Sequence, residues 1–252
     1  MFHFNIKELA LPKVQFIGIG GVSMSGIAEL LHDSGYTVTG SDRSENSYVS
    51  HLKSRGIKIA IGQVAENITD QDLFVYTDAI PDTNEELIAA KATGKDVVTR
   101  GEFLGALMRN YTKSIAVSGS HGKSTTTALI SKILMAGETN PTVLLGGSFD
   151  EIAGNVHTGN SEYFLAEACE YKGNIRYYYP EVAVILNIDE DHLDYYKNLD
   201  DITMAFQNYM ANLSPGSKAI INLDDANCRK LLDHIPGEAI TFAIENDHAT
   251  YN

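Results

Sequence analysis

The chain has 252 residues, of which 44% are apolar, so it is long enough for two domains with a sizeable core. Its 33 acidic and 19 basic residues give a formal net charge of −14, which argues against the basic face that nucleic-acid binders use. The two cysteines, Cys169 and Cys228, are too few for a disulfide scaffold. The sequence shows neither a signal-peptide pattern nor a run near the ~18 apolar residues of a membrane span. We therefore expect a soluble cytoplasmic protein.

The first third of the chain alternates strand-like and helix-like segments. An apolar run, Val14–Ile17, ends in glycines, and Met24, Ile27, Leu30 and Leu31 then fall on one face of a helix. Helical stretches at Tyr48–Ser54 and Asn84–Ala92 separate some of the remaining strands. Those strands are predicted at Thr37–Thr39, Lys58–Ile61, Leu73–Tyr76 and Asp96–Thr99. This alternation predicts a parallel sheet covered by helices on both faces.

The turn after the first strand, Gly18–Ser23, is rich in glycine. Glycines between a strand and a helix let a diphosphate approach the free N–H groups of the helix N-terminus. Asp42 follows at roughly the 20-residue offset from which an acid contacts a ribose hydroxyl. The third glycine of the Gly-x-Gly-x-x-Gly pattern is replaced by Ser23, however. A tight turn without a ligand and a dinucleotide site are therefore both alternatives.

A second α/β unit begins at Ser114–Ser118 and continues into a helix with Leu129, Ile130, Ile133 and Leu134 on one side. Later strands are predicted at Thr142–Leu145, Tyr163–Glu167, Val182–Leu186, Ala219–Asn222 and Ala239–Phe242. We place the domain boundary near Asn110–Lys113. The predicted fold class is α/β, with a Rossmann-like parallel sheet in residues 1–110 and a P-loop-type α/β domain in residues 111–252.

The loop between that strand and that helix is a candidate phosphate loop, Gly119-Ser120-His121-Gly122-Lys123-Ser124-Thr125. Its backbone N–H groups would hold phosphate oxygens, Lys123 would neutralise their charge and the Ser124 hydroxyl would hold Mg²⁺. The first glycine of the longer Walker A pattern would fall at Val117, which argues against ordinary GTPases and kinases. A helix N-terminus with a chance Gly-Lys-Ser is the alternative.

Acidic clusters follow two of the later strands, where ligands of doubly wound sheets bind. Glu167 ends one strand and Glu170 follows it; Asn187, Asp191 and His192 follow the next. Glu167 and His192 are candidate Mg²⁺ ligands, and Glu170 and Asp191 could orient them. For any single acid the alternative is a solvated loop charge, and for His192 it is a capping or packing role.

Taken together, these segments resemble the Mur ligases. Phe16–Gly26 is similar to the opening Phe-Ile-Gly-Ile-Gly-Gly-x-Gly-Met-Ser-Gly of one member of the family, and Gly119–Thr126 to that member's Gly-Thr-His-Gly-Lys-Thr-Thr. Ala166–Tyr171 and Asn187–Asp194 are similar to its acidic and Asn-Ile-x-x-Asp-His segments. Turns of the family's central domain correspond to Gly146-Gly147 and Gly154-Asn155. The order and spacing agree from about residue 12 to about residue 245.

The resemblance is greatest to the member that adds L-alanine to UDP-N-acetylmuramate in cell-wall precursor synthesis. It implies an ATP-dependent ligase that forms an acyl phosphate and then an amide. The implied UDP-sugar contacts are Gly18, Ile19, Gly20, Gly21, Val22, Ser23, Asp42 and Asn155. The implied ATP contacts are Gly119, Ser120, His121, Gly122, Lys123, Ser124, Thr125 and Asn187. Ser124, Glu167 and His192 would hold Mg²⁺, and Lys123, Glu167 and His192 would be catalytic.

The sequence departs from the family pattern in several places. Ser23 replaces a glycine, and Ser120 and Ser124 replace threonines while keeping the hydroxyl. Met204–Gln207 supplies no lysine, so we do not predict the carbamylated lysine of some relatives. We also expect the family's third, amino-acid-binding domain to be absent, so that these residues bind UDP-sugar, and ATP weakly, without turnover.

Three other functions remain as alternatives. An NAD-dependent oxidoreductase would explain the first turn but not Gly119–Thr125. A non-catalytic nucleotide sensor would not need Lys123, Glu167 and His192. A ligase that recycles muropeptides would share the fold, although its glycine turn usually differs from Gly18–Gly21.

Overall fold

This computed structural model describes residues 2–7, 12–152 and 154–252. Its first sheet has five parallel strands. They are β1 (Lys13–Ile17), β2 (Thr37–Asp42), β3 (Lys58–Ile61), β4 (Leu73–Tyr76) and β5 (Asp96–Thr99). Their order in the sheet is β3-β2-β1-β4-β5. From β1 the successive strands β2 and β3 are added on one side, whereas β4 and β5 are added on the other side of β1. The strand order therefore reverses between β1 and β4, and a crevice forms beyond the carboxyl ends of these two strands.

Four helices accompany this sheet: α1 (Val22–Asp33), α2 (Ser47–Ser54), α3 (Glu85–Ala92) and α4 (Arg100–Met108). The predicted apolar face of α1 is confirmed, because Met24, Ile27, Leu30 and Leu31 are each at most 1% exposed. The predicted α2 and α3 are also confirmed, each starting within one residue of its predicted position. Asn84, predicted as the first residue of α3, is its N-cap and accepts a hydrogen bond from the Leu87 N–H.

The sequence analysis missed α4. This helix starts immediately after β5 with a capping box, in which the Thr99 side chain accepts from the Glu102 N–H and the Glu102 carboxylate accepts from the Thr99 N–H. Phe103 and Leu107 of this helix are fully buried. The Thr-x-x-Glu pattern was the signal that could have identified it.

The second sheet has seven strands in the order β12-β11-β10-β6-β9-β7-β8. They are β6 (Lys113–Ser118), β7 (Thr142–Phe149), β8 (Gly154–His157), β9 (Tyr163–Glu167), β10 (Val182–Ile185), β11 (Lys218–Asn222) and β12 (Glu238–Phe242). The β7–β8 pair is antiparallel and the other pairs are parallel. The predicted α/β class is confirmed, but β8 and the extension of β7 beyond Leu145 were not predicted.

Three α-helices belong to this half: α5 (Lys123–Ala136), α6 (Leu199–Ala211) and α7 (Ala226–Arg229). The predicted apolar side of α5 is only partly correct. Ile130 and Leu134 pack against the sheet, whereas Leu129 and Ile133 are 57% and 71% exposed. The buried face of α5 is narrower than the predicted stripe. No helix in the described part of the chain has the length and apolar content to cross a membrane.

The two sheets share one continuous core, in which Leu30 and Phe103 from the first half and Leu144 and Phe164 from the second belong to the same buried cluster. Asn155 adds a hydrogen bond between the halves, from its Nδ2 to the Val22 carbonyl at 2.6 Å. The halves are therefore packed against each other. The predicted division into domains at residues 110 and 111 stays a prediction.

Two glycines of α4 allow the segment after β9 to pack closely. A Cβ atom added at Gly105 would lie 2.1 Å from the Tyr177 carbonyl oxygen. We therefore expect Gly105→Ala to lower the free energy of unfolding by about 2 to 4 kcal/mol, because backbone atoms must move to relieve the overlap. Urea denaturation followed by circular dichroism measures it.

Gly216→Ala is the matched control, because a Cβ atom at Gly216 meets nothing within 4 Å. It should change the free energy of unfolding by less than about 0.5 kcal/mol. Equal effects of the two substitutions would contradict the close packing of α4.

Candidate functional site

The N-termini of α1 and α5 differ from those of the other described α-helices. The other five have a side-chain cap that accepts a backbone hydrogen bond, from Asn46, Asn84, Thr99, Asn198 and Asp225. By contrast, α1 follows Gly21 and α5 follows Gly122, and neither has a side-chain cap or an acid in its first turn. Their first N–H groups and the positive ends of their dipoles are therefore available to an anion.

The turn before α1 is held by hydrogen bonds to the end of β2. Gly18, with φ of +83°, and Ile19 both donate their N–H to the Ser41 carbonyl at 2.9 Å. The Gly20 N–H donates to the Asp42 carboxylate at 2.8 Å. A Cβ atom at Gly20 would lie 2.7 Å from that carboxylate, so a larger residue there would displace the Asp42 side chain from the turn. The turn has a fixed shape that leaves the first N–H groups of α1 accessible.

The structure places Asp42 and Asn155 beside this turn, but both side chains already contact the protein. One Asp42 oxygen accepts from Gly20, and Asn155, which is 6% exposed, donates to Val22 of α1. Their roles in shaping the site are therefore visible, and their predicted ligand contacts stay predictions.

The loop before α5 lies at the carboxyl end of β6, between β9 and β10. Gly119 and Gly122 have φ of +141° and +81°, values that favour glycine. Asn187, after β10, forms two hydrogen bonds with the His121 backbone, of 2.8 and 3.1 Å. Its backbone carbonyl also accepts from the Ser120 N–H at 3.1 Å. The Asn187 side chain thus fixes the conformation of the loop.

Lys123 folds back over this loop, and its ammonium group donates to the carbonyls of Gly119 and Ser120. It also donates to both oxygens of Glu170 at 3.1 Å. The Glu170 side chain is 1% exposed and the Lys123 side chain 15% exposed, so this is a buried ion pair. Glu170 therefore holds the Lys123 ammonium at the mouth of the loop.

Ser124 and Glu167 are brought together as predicted. The Ser124 hydroxyl donates to Glu167 Oε2 at 3.1 Å, and the other oxygen of Glu167 accepts from the Gly146 N–H. A Cβ atom at Gly146 would lie 2.5 Å from Glu167 Oε2, so a larger residue there would push the Glu167 carboxylate out of this position. These groups are hard oxygen donors of the kind that Mg²⁺ binds.

His192 lies beside Glu170, with 3.6 Å between Nε2 and Oε1, and beside Asp191, with 3.7 Å between Nδ1 and Oδ1. Ligand atoms of these three residues lie within 4.8 Å of one another, which is close enough to surround a metal ion. His192 has φ of +52°, and its N–H donates to the Asp191 carboxylate at 2.7 Å. The acids that were expected only to orient the ligands are thus themselves within reach of a cation.

Cys169 lies between Glu167, the last residue of β9, and Glu170. Burial, and then the negative charge of Glu170, raise the pKa of its thiol. A raised pKa disfavours the thiolate, which is the nucleophilic form, so the structure gives no support for Cys169 as a nucleophile. The sequence analysis also missed Arg100, whose Nη1 lies 3.4 Å from the Ser23 hydroxyl. Its position directly after a predicted strand was the available signal.

Both halves of the chain match known protein families. Residues 13–112 match the model of the Mur ligase family catalytic domain, and residues 117–252 match that of the Mur ligase middle domain. UDP-N-acetylmuramate–L-alanine ligases from Clostridium novyi and Clostridium acetobutylicum are 47% and 44% identical over 96% of this chain. The alignments cover 53% of each relative, so the chain spans about half the length of the curated relatives it matches.

Solved structures show the same fold. The UDP-N-acetylmuramate–alanine ligase MurC from Thermotoga maritima has a TM-score of 0.81 at 30% identity, covering 93% of this chain and 53% of that one. The UDP-N-acetylmuramate:L-alanyl-γ-D-glutamyl-meso-diaminopimelate ligase from Neisseria meningitides has a TM-score of 0.88 at 22% identity, covering 95% and 80%. At that identity, the second likeness is one of fold alone.

Proposed function

The chain belongs to the Mur ligase family, and from that premise we propose that it forms the nucleotide-binding half of an ATP-dependent ligase that adds L-alanine to UDP-N-acetylmuramate. The observation that carries the proposal is the pair of uncapped helix N-termini, each preceded by a glycine turn at the carboxyl end of a parallel strand. The identity to L-alanine ligases supports the choice of substrates. We assign the reaction to peptidoglycan precursor synthesis in the cytoplasm.

In this proposal the turn Gly18–Ser23 binds the diphosphate of the UDP-sugar, and residues 1–110 form the domain that carries it. Residues 111–252 form the ATP-binding domain. The N–H groups at the start of α5 would bind the phosphates of ATP, and Lys123 would move from Glu170 towards the γ-phosphate. Asn187 would act by holding the loop in shape.

Ser124 and Glu167 would hold one Mg²⁺, and His192, with Glu170 or Asp191, could hold a second. When bound, Mg²⁺ supplies positive charge that stabilises the transferring phosphoryl group.

The reaction needs two steps at this edge of the sheet. The carboxylate of the muramate attacks the γ-phosphorus of ATP, which gives an acyl phosphate and releases ADP. The neutral amine of L-alanine then attacks the acyl carbon, and phosphate and a proton leave as the amide forms. Lys123 and the free N–H groups of α5 stabilise charge on the transferring phosphoryl group during the first step.

Because the chain matches about half of its relatives, we propose that these residues bind substrate without turning it over. The test joins residues 1–252 to the remaining half of the Clostridium novyi relative and measures phosphate release with ATP, Mg²⁺, UDP-N-acetylmuramate and L-alanine. We expect release from the chimera and none above background from residues 1–252 alone. Release from the chimera with L-alanyl-γ-D-glutamyl-meso-diaminopimelate but not with L-alanine would favour a recycling ligase instead.

A further inference from the structure

Arg100 is a partly buried cation that forms no ion pair with any described residue. It begins α4 directly after β5, so it lies at the same edge of the first sheet as the Gly18–Ser23 turn. Its guanidinium lies 3.4 Å from the Ser23 hydroxyl and beside the hydroxyl of Tyr178. An arginine side chain has five N–H donors, and most of these are left for another acceptor.

The surroundings of Arg100 keep it charged without neutralising it. Burial acts to lower the pKa of its guanidinium, but the neighbouring Tyr178, Cys169 and Asp78 outweigh this and raise it. The Asp78 carboxylate accepts a hydrogen bond from the Asn174 side chain at 2.9 Å and forms no ion pair with Arg100. Tyr178 is fully buried, and its hydroxyl faces the Arg100 guanidinium, so this neighbour is neutral at ordinary pH and does not balance the charge of Arg100. A partly buried guanidinium whose described contacts are to neutral hydroxyls has no carboxylate to balance its charge, which favours an anionic ligand here.

We propose that Arg100 binds the diphosphate of the nucleotide sugar directly, and that the Ser23 hydroxyl orients its guanidinium. This inference rests on the proposed function of the Gly18–Ser23 turn and adds a residue to it. The diphosphate is favoured over the carboxylate of the sugar because Ser23 lies in the uncapped first turn of α1. A guanidinium can bind two phosphate oxygens at once, so it complements the single N–H groups of the helix.

The test is calorimetric titration of the 252-residue chain and its variants with uridine, UDP and UDP-N-acetylmuramate. Arg100→Met should weaken binding of UDP and of UDP-N-acetylmuramate by about 10- to 100-fold each, while uridine binding changes less than about twofold. Ser23→Gly should weaken UDP binding by about two- to fivefold, because it removes only the orienting hydroxyl. Arg109→Met removes a charge from the other end of α4 and is the control, for which no change is expected.

Each other outcome overturns a specific statement. An unchanged affinity for UDP in Arg100→Met, or an equal loss for uridine, would refute direct contact with the diphosphate. A loss confined to UDP-N-acetylmuramate would assign Arg100 to the carboxylate instead. Should Arg100→Met fail to fold, Arg100→Lys keeps the charge and should weaken binding of UDP and of UDP-N-acetylmuramate by about three- to tenfold, with uridine binding unchanged. If the unaltered chain binds UDP-N-acetylmuramate poorly but Arg100→Met still lowers UDP binding, the proposed function fails and the diphosphate contact stands.

Discussion

Lys123→Met is expected to lower the affinity of the chain for Mg-ATP at least about 100-fold, and phosphate release by the chimera at least about 1000-fold. The ammonium of Lys123 lies within 3.2 Å of the Ser120 carbonyl and 3.1 Å of Glu170, at the N-terminus of α5. It is therefore the positive charge placed to meet the phosphates. Methionine keeps much of the side-chain length and removes the charge.

The matched control for Lys123→Met is Lys218→Met. Lys218 begins β11, so it lies at the amino ends of the parallel strands, whereas the loop before α5 lies at their carboxyl ends. Its side chain is 49% exposed. Calorimetry with Mg-ATP should find the control unchanged. An affinity in Lys123→Met that equals that of the control would show that the loop before α5 does not bind triphosphate.

Glu170→Ala should have the largest effect on stability, lowering the free energy of unfolding by about 3 to 5 kcal/mol. The substitution leaves the Lys123 ammonium, whose side chain is only 15% exposed, without its carboxylate partner. Glu170→Gln should cost less, because the amide oxygen can still accept a hydrogen bond. Urea denaturation at neutral pH measures both.

A double-mutant cycle distinguishes the ion pair from simple packing. Lys123→Met combined with Glu170→Gln should lose less stability than the sum of the two single losses, with a coupling of about 1 to 3 kcal/mol. Strictly additive losses would mean that the pair at 3.1 Å contributes no interaction energy to the folded protein.

The parts of the fold that were predictable from sequence are those with a strong local pattern. Val14–Ile17 and Ser114–Ser118 are apolar runs that end in glycine turns, and both are strands with a turn at the carboxyl end. By contrast, α4 follows β5 without a break, so no turn of the chain separates the strand from the helix. β8 has the sequence Gly-Asn-Val-His, with one apolar side chain, so it shows neither the apolar run nor the alternation that predicts a strand.

The candidate site was predictable in its residues and less so in its contacts. Ser124 lies beside Glu167 as expected, whereas the structure groups His192 with Glu170 and Asp191. The buried pair of Lys123 and Glu170 joins residues 47 positions apart, and no local pattern in the sequence specifies it. The role proposed for Arg100 likewise depends on its contacts with α1 and with the segment after β9, which are distant from it in the sequence.

The most direct test of the central claim is calorimetric titration of the 252-residue chain with UDP-N-acetylmuramate, with NADH as the control ligand. We expect the UDP-sugar to bind, NADH not to bind, and Gly20→Ala to weaken UDP-sugar binding, because the added Cβ atom would displace the Asp42 and Asn46 side chains that hold the turn. Binding of NADH without binding of the UDP-sugar would contradict the ligase assignment and make the Gly18–Ser23 turn a dinucleotide site.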